Sequence, residues 1–461
     1  MLHSSVSYDS SAFKKTETNP RGYASTYAFQ VFDQPSEDAI TEIKAPKNVK
    51  VSIARDLFDK PTSITRSGDD ASLQRSYEYD AHQRLVKTIE PETGATLQDY
   101  DAAGNLTCRT AGRSVLAATS CDNSSVPEAK KTRFAYDLRN RLKTTSYGDG
   151  SPLISRTYTK DGLLETISSA GSVWTYEYNN RRLKTAEKLA YGGETFRIGY
   201  GYDANGSLTQ LQYPRDSLVI NYDPNALGEK RKIGGFATGI QYHPNGAVSA
   251  FTYGNGIRRT LDQNDRGLPQ RSTDTGVLDE SYTYDANANV EKIVDEFQHT
   301  ATRDMAYDAL DRLWTVSAPK LWGTATYGYD AIDNLVSAAI SAGPNVRTLT
   351  SNIDSTTNRL KETTGGPAAF NFTYGYDDQG NVTSRGTQTY RFDQGNRMTA
   401  AVGRATYAYD GLGHRFSTVG ADGVNTLQIY TQDGKLLYSG PPAGGGSKYI
   451  YLNNHVIAEV K

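Results

Sequence analysis

Side chains able to carry a proton or hold a metal are spread along this 461-residue chain in a regular pattern. Aspartate stands directly behind tyrosine at Tyr79-Asp80, Tyr100-Asp101, Tyr136-Asp137, Tyr202-Asp203, Tyr222-Asp223, Tyr284-Asp285, Tyr307-Asp308, Tyr329-Asp330, Tyr376-Asp377 and Tyr409-Asp410. Paired carboxylates do acid–base work in glycoside hydrolysis. A catalytic pair is unique, however, whereas these aspartates recur at one place in copy after copy. An Asp that bonds the backbone two residues on is what a tight turn requires, so the structural reading is preferred. The six histidines, His3, His82, His243, His299, His414 and His455, include no two at metal-ligand spacing. Cys108 and Cys121 are too far apart for a zinc site. Either a disulfide between them clips the base of a loop, or both are unpaired thiols. Neither a Gly-x-Ser-x-Gly elbow nor His-Glu-x-x-His occurs. Gly192-Gly193 and Gly444 to Gly446 lack the strand–loop–helix setting of a phosphate site. No catalytic residue, cofactor or metal is expected.

The elements that position these residues follow from their spacing. In Phe372 to Arg385, FTYGYDDQGNVTSR, Tyr374 and Tyr376 share one strand face, Asp377 to Asn381 are turn formers, and Val382 restarts a strand. That is one β-hairpin. Tyr-Asp pairs, with degenerate copies such as Tyr158, Tyr178-Asn179, Tyr242-His243, Leu261-Asp262 and Phe392-Asp393, repeat mostly every 19 to 24 residues. A second aromatic two residues earlier doubles the signal, as in Tyr77/Tyr79 and Tyr407/Tyr409. No window carries a 3.6-residue apolar stripe, so the chain reads as all-β, a long antiparallel meander of tandem hairpins. A nine-residue calcium-binding roll has the wrong period, and a propeller would show alternating odd and even units.

Formal net charge is −2 with 22% charged residues, and no Lys/Arg block marks a nucleic-acid partner. Hydrophobic content is 37% and mean hydropathy −0.61, too polar for a thick sandwich core but suited to nearest-neighbour stability. The 32 tyrosines suit such a sheet: each buries a ring and keeps a polar tip for water or a partner. No apolar run is long enough to span a membrane, and the start is not a cleavable secretory signal. The expected organisation is a poorly ordered segment over 1–31, then a continuous array over 32–461. Worn repeats at Phe32-Asp33 and Arg55-Asp56 open the array, an insertion lies at about 108–130, and an edge unit at about 430–461. The terminal strand Tyr449 to Val460 is expected to leave an exposed edge open to strand addition, with Ile450, Leu452, Val456 and Ile457 nearby.

Tyr100-Asp101-Ala102-Ala103-Gly104-Asn105-Leu106, and nearly as fully Tyr376-Asp377 through Gly380-Asn381-Val382, resemble the YD repeats of the Rhs family. That family includes bacterial polymorphic toxins, C components of insecticidal toxin complexes and the teneurin YD shell. The resemblance implies a sheet spiralled into a hollow shell that encloses a toxic C-terminal segment or partner, completed where needed by a second chain. It implies export without a signal peptide of its own, from the cytoplasm to the cell surface or outside. Its closing Asp-Pro-Gly-type protease segment has no counterpart, because Asp223-Pro224 lies mid-array. A different reading is a surface adhesin or carbohydrate-binding module, with tyrosine tips stacking on glycans. About 34 strands are expected, rolled once into a low ring or twice around a lumen of roughly 15 Å.

Overall fold

The computed structural model describes residues 4–31, 37–215, 218–343 and 346–461. The repeat expected at Phe32-Asp33 and the residue His3 lie outside the described residues. Among these, 41 strands form two sheets, and the only helical elements are the one-turn segments Arg113–Val115, Glu128–Lys130 and Ala368–Phe370. Strands pair antiparallel with their neighbours in sequence. The first sheet, of 19 strands, runs from Ser5–Asp9 to Val219–Asn221, and the second, of 22, from Ala237–Tyr242 to His455–Val460.

Residues 1–31 depart from expectation. Ser5–Asp9, Lys14–Thr18 and Ala24–Phe29 are strands of the first sheet. Their polarity signalled disorder, but β-branched threonines pair across strands, with the Thr16 and Thr26 hydroxyls 3.0 Å apart. Asp9 caps the Ser11 and Ala12 N–H groups of the first turn. These strands, with units shorter than the average period, raise the strand count above the expected 34.

Tyr222-Asp223 also departs from the repeat. It sits at the junction of the two sheets, where Asn225, not Asp223, caps the turn through the N–H groups of Leu227 and Glu229. Asp223 instead pairs with Arg231 at 3.0 Å. Two isolated bridges, Pro224 to Lys230 and Ile233 to Ala237, carry the chain across.

The joined sheets coil upon themselves. The turn after the second strand meets the turn after the twenty-sixth, and Tyr213, past the eighteenth strand, meets Tyr449 in the fortieth. One circuit therefore takes 22 to 24 strands, and 41 strands make nearly two circuits. At ~4.8 Å per strand a circuit measures roughly 110 Å around and roughly 35 Å across; side chains leave a lumen of about 25 Å. The lumen exceeds the 15 Å expected because more strands share two circuits.

Burial is uneven. Most strands are half-buried, but a continuous apolar cluster joins the strands between Ile154 and Phe251 to those between Phe416 and Leu452. Trp174, Phe196, Ile198, Phe416, Leu427 and Ile429 are among its fully buried members. Ile450 and Leu452 belong to this core instead of lining an exposed edge. The last strand pairs with its predecessor, and His455, Val456 and Ile457 border a cleft of about 400 Å³ opposite Val248, Phe251 and Leu261.

Candidate functional site: the repeat turn and the seam

The repeat turn is built from the aspartate outward. One carboxylate oxygen accepts the N–H groups two and four residues on: Asp101 from Ala103 and Asn105 at 2.9 and 2.8 Å, Asp330 from Ile332 and Asn334 at 3.0 and 2.8 Å. Asp80, Asp137, Asp203, Asp285, Asp308, Asp377 and Asp410 repeat this pair of bonds. The other oxygen takes the side chain four residues on where that is Asn or Arg: Asn105 Nδ2 at 2.9 Å, Asn381 Nδ2 at 2.9 Å, Arg141 Nε at 2.7 Å. The residue between must adopt positive φ, 85° at Gly104 and 95° at Gly380, which is why glycine stands there. Each such hairpin carries a register shift at its tyrosine, as at Tyr79, Tyr329 and Tyr376.

At three of these turns the bonds hold the carboxyl below its usual range. The backbone N–H of Arg84 lowers Asp80, Asn105 lowers Asp101, and the Arg141 guanidinium brings Asp137 down to about 2. Their oxygens serve the turn, one accepting two backbone N–H groups at each.

The hydroxyls of nine motif tyrosines are occupied as well, which corrects the expectation of free polar tips at those positions. Each donates to the carbonyl that opens the second strand of the preceding repeat: Tyr100 to Leu85 at 2.9 Å, Tyr136 to Leu106 at 2.9 Å, Tyr329 to Leu313 at 3.0 Å, Tyr376 to Leu360 at 2.7 Å. Tyr79, Tyr202, Tyr284, Tyr307 and Tyr409 do the same. Burial raises the phenol pKa at every one of these nine positions. Where the fourth residue after Asp is Arg, its guanidinium lies over the next repeat's ring, 4.8 Å above Tyr100 for Arg84 and 4.8 Å above Tyr329 for Arg312. The alternation of Asn and Arg at that place was visible in the sequence; its role in binding the next repeat was not.

Between circuits, the repeat turns of the second sheet dock on the opposite turns of the first. Arg21 donates to the carbonyls of Tyr307 and Asp308, both at 2.8 Å, and pairs with Asp285 at 3.1 Å and Asp311 at 2.6 Å. Lys47 meets Asp308 at 3.1 Å, and Arg66 meets Asp333 at 2.7 Å. Gly68 lies so close to Ala331 that a Cβ there would collide with its methyl group. Farther round, Arg359 Nε donates to the Glu92 carbonyl at 2.6 Å, and the Gln394 N–H to Asp149 at 2.9 Å. Asp378 takes the Ser114 N–H at 2.9 Å and Lys130 at 2.6 Å. Burial raises its pKa, but the bonds from Lys130 and Ser114 outweigh that and hold it low.

The last third of the seam is different. Asp410 is fully buried and, besides capping its own turn, accepts Trp174 Nε1 at 2.9 Å. Glu187, also fully buried, receives Tyr200 OH at 2.6 Å, Lys184 Nζ at 2.5 Å and the Gln432 N–H at 2.8 Å. Tyr213 OH donates to the Tyr449 carbonyl at 2.8 Å. Nothing in the local sequence of Glu187 or Asp410 marks them as bridging residues, because their partners lie over 230 residues away.

Cys108 and Cys121 are joined as a disulfide, with Cα atoms 5.8 Å apart, inside a small core with Ala95, Leu97, Val115 and Val126. Asp99, close to both sulfurs, caps the Cys121 and Asp122 N–H groups. With both sulfurs bonded to each other, the trio does not form a metal site.

The family model of the teneurin YD-shell matches residues 221–435. Among solved structures, the crystal structure of TcdB2-TccC3-TEV superposes with TM-score 0.66 at 14% identity, over 97% of this chain and 28% of that one. TcdB2-TccC3 without its hypervariable C-terminal region gives 0.67 at 13%, over 95% and 28%. These identities speak to fold, and the chain spans less than a third of the length of either structure. No curated protein matches it in sequence. Tandem Tyr-Asp turns, a sheet that coils nearly twice, and a YD-shell match from the sheet junction onward make the chain similar to the shells of the Rhs/YD-repeat family.

Proposed function

We propose that this shell scaffold serves as a wall enclosing an unfolded polypeptide, the toxic segment or partner of a delivery system, and that it does no chemistry itself. The observation that carries this reading is the seam: two circuits locked edge to edge around a lumen of about 25 Å. A folded domain of 100 residues, with a radius of gyration of about 13 Å, is too wide for that lumen, whereas an extended chain fits. The repeated Asp carboxylates and the hydroxyls of the nine motif tyrosines are engaged within the wall, which favours a scaffold over a glycan-binding surface at those positions. No helix among the described residues is long and apolar enough to cross a membrane. Export to the cell surface or beyond, with a further chain or segment completing the shell, belongs to the same proposal.

The test is protection. An unfolded, protease-sensitive segment appended after Lys461 should survive trypsin that destroys it on an unrelated carrier. Gly411, in the turn capped by Asp410, lies so close to Ile167 of the other circuit that a Cβ would collide with it, so opening the wall with Gly68→Val and Gly411→Leu should expose the segment. Equal cleavage on the coil and on the carrier would refute the enclosing role.

A further inference from the structure

The seam defines which surfaces of this coil fit each other, and two surfaces of the right kinds are left over. Inside the chain, repeat turns of the second sheet sit on the opposite turns of the first. The uncovered surfaces are therefore the repeat-turn rim of the first sheet and the opposite rim of the second. Both carry exposed apolar residues, in six turns of the second sheet and in two repeat turns of the first. On the second sheet, Val277, Phe297, Leu321, Val346, Val402 and Val424 each stand in a turn between strands and are 42% to 56% exposed. On the first sheet, Leu57, Phe58 and Leu138 stand in repeat turns and are 66% to 105% exposed. By contrast, the first-sheet turns covered by the seam present Arg21, Asp70, Glu92 and Asp149, which are bonded to the circuit above. Apolar side chains repeated along one rim mark a contact surface, since scattered ones would not fall in register.

We propose that a second copy of this chain docks head to tail, its first-sheet repeat turns on the free second-sheet rim, prolonging the coil by the same rim-on-rim contact that joins the two circuits. The contact is heterologous: the two surfaces differ, so every added copy offers a fresh rim, and stacks grow instead of stopping at dimers. This deepens the shell reading and rests on it, because a stack is a longer wall. The tests remain separable, since a coil that protects a segment but never stacks would sink only the present inference.

Sedimentation velocity of the full chain should show the average mass rising roughly twofold or more over a hundredfold concentration range. Leu321→Glu with Val346→Glu should block the upper rim, and Leu57→Glu with Leu138→Glu the lower. Each variant alone should stay monomeric while keeping its β spectrum. Mixed in equal amounts they should form a dimer and nothing larger, because one intact rim of each kind remains. A wild type that is monomeric throughout overturns the inference. So does a mixture that stays monomeric, or a single-rim variant that still self-associates, which would mean a symmetric contact elsewhere.

Discussion

The two stretches of the seam hold the circuits together by different physics. From Arg21 to Asp149 the contact is rim on rim, made of ion pairs and hydrogen bonds at half-exposed turns, with little apolar burial beneath. From Trp174 to Tyr213 the contact is backed by an apolar cluster to which both circuits contribute. Exposed pairs contribute about 0–1 kcal/mol each and weaken with salt, whereas a buried large apolar side chain contributes about 1.5–3 kcal/mol and does not. One end of the coil is therefore latched and the other is packed.

The sharpest way to break that comparison is to hollow the packed end. Phe416→Ala should cost about 3–5 kcal/mol, read as a lower denaturant midpoint, with loss of protection in both circuits. A cost under about 1 kcal/mol would show that the two faces are not a shared core. Next in size is the Cys108–Cys121 bond, which closes a 13-residue separation and should be worth up to about 3 kcal/mol. Alkylation without reductant, followed by mass spectrometry, should find no free thiol; two alkylated cysteines in folded protein would remove the clip. Asp410→Ala should cost about 1–3 kcal/mol, because it strands the buried Trp174 indole N–H along with the turn, while Asp330→Ala, with only its own turn to lose, should cost roughly 1 kcal/mol. Equal effects would mean that Asp410 has no special part in joining the circuits. Smallest should be Lys47→Ala, whose exposed ammonium has Asp308 as its seam partner, at under about 1 kcal/mol and absent in high salt. Hydrogen exchange should show it loosening the turn at Asp308 without touching those near 449.

The pH dependence sharpens the same contrast. Asp137 and Glu128 are each lowered to about 2, the first by Arg141 and the second by Arg133. A depressed carboxylate contributes stability that is present above its unfolded value near 4 and is lost as pH falls through its folded value. Unfolding midpoints should stay level from pH 7 to about 4 and drop between about 4 and 2. A midpoint that falls already between about 7 and 5 would point instead to groups outside the turns.

Much of this was legible one hairpin at a time. The Tyr-Asp spacing located the turns because a capping carboxylate and a positive-φ glycine are local requirements that a five-residue window satisfies. The Asn or Arg four residues on was visible but not interpretable, since its second partner belongs to the next repeat. The N-terminal strands were hidden because their composition is that of a loop, and only pairing with a neighbour makes Lys14–Thr18 a strand. At Tyr222-Asp223 the motif misled, because the junction between sheets hands the capping role to Asn225.

The sequence by itself determined the hairpin, its turn chemistry and its period, since each depends on contacts within about two dozen residues. Only the tertiary structure decided how many strands close a circuit, that repeat turns dock on opposite turns, and that Asp410 and Glu187 are buried bridges where Asp101 is a half-buried cap. Those outcomes follow from sheet twist and coiling summed over more than twenty strands, and they join residues 236 to 290 positions apart, a separation over which no local pattern carries a signal.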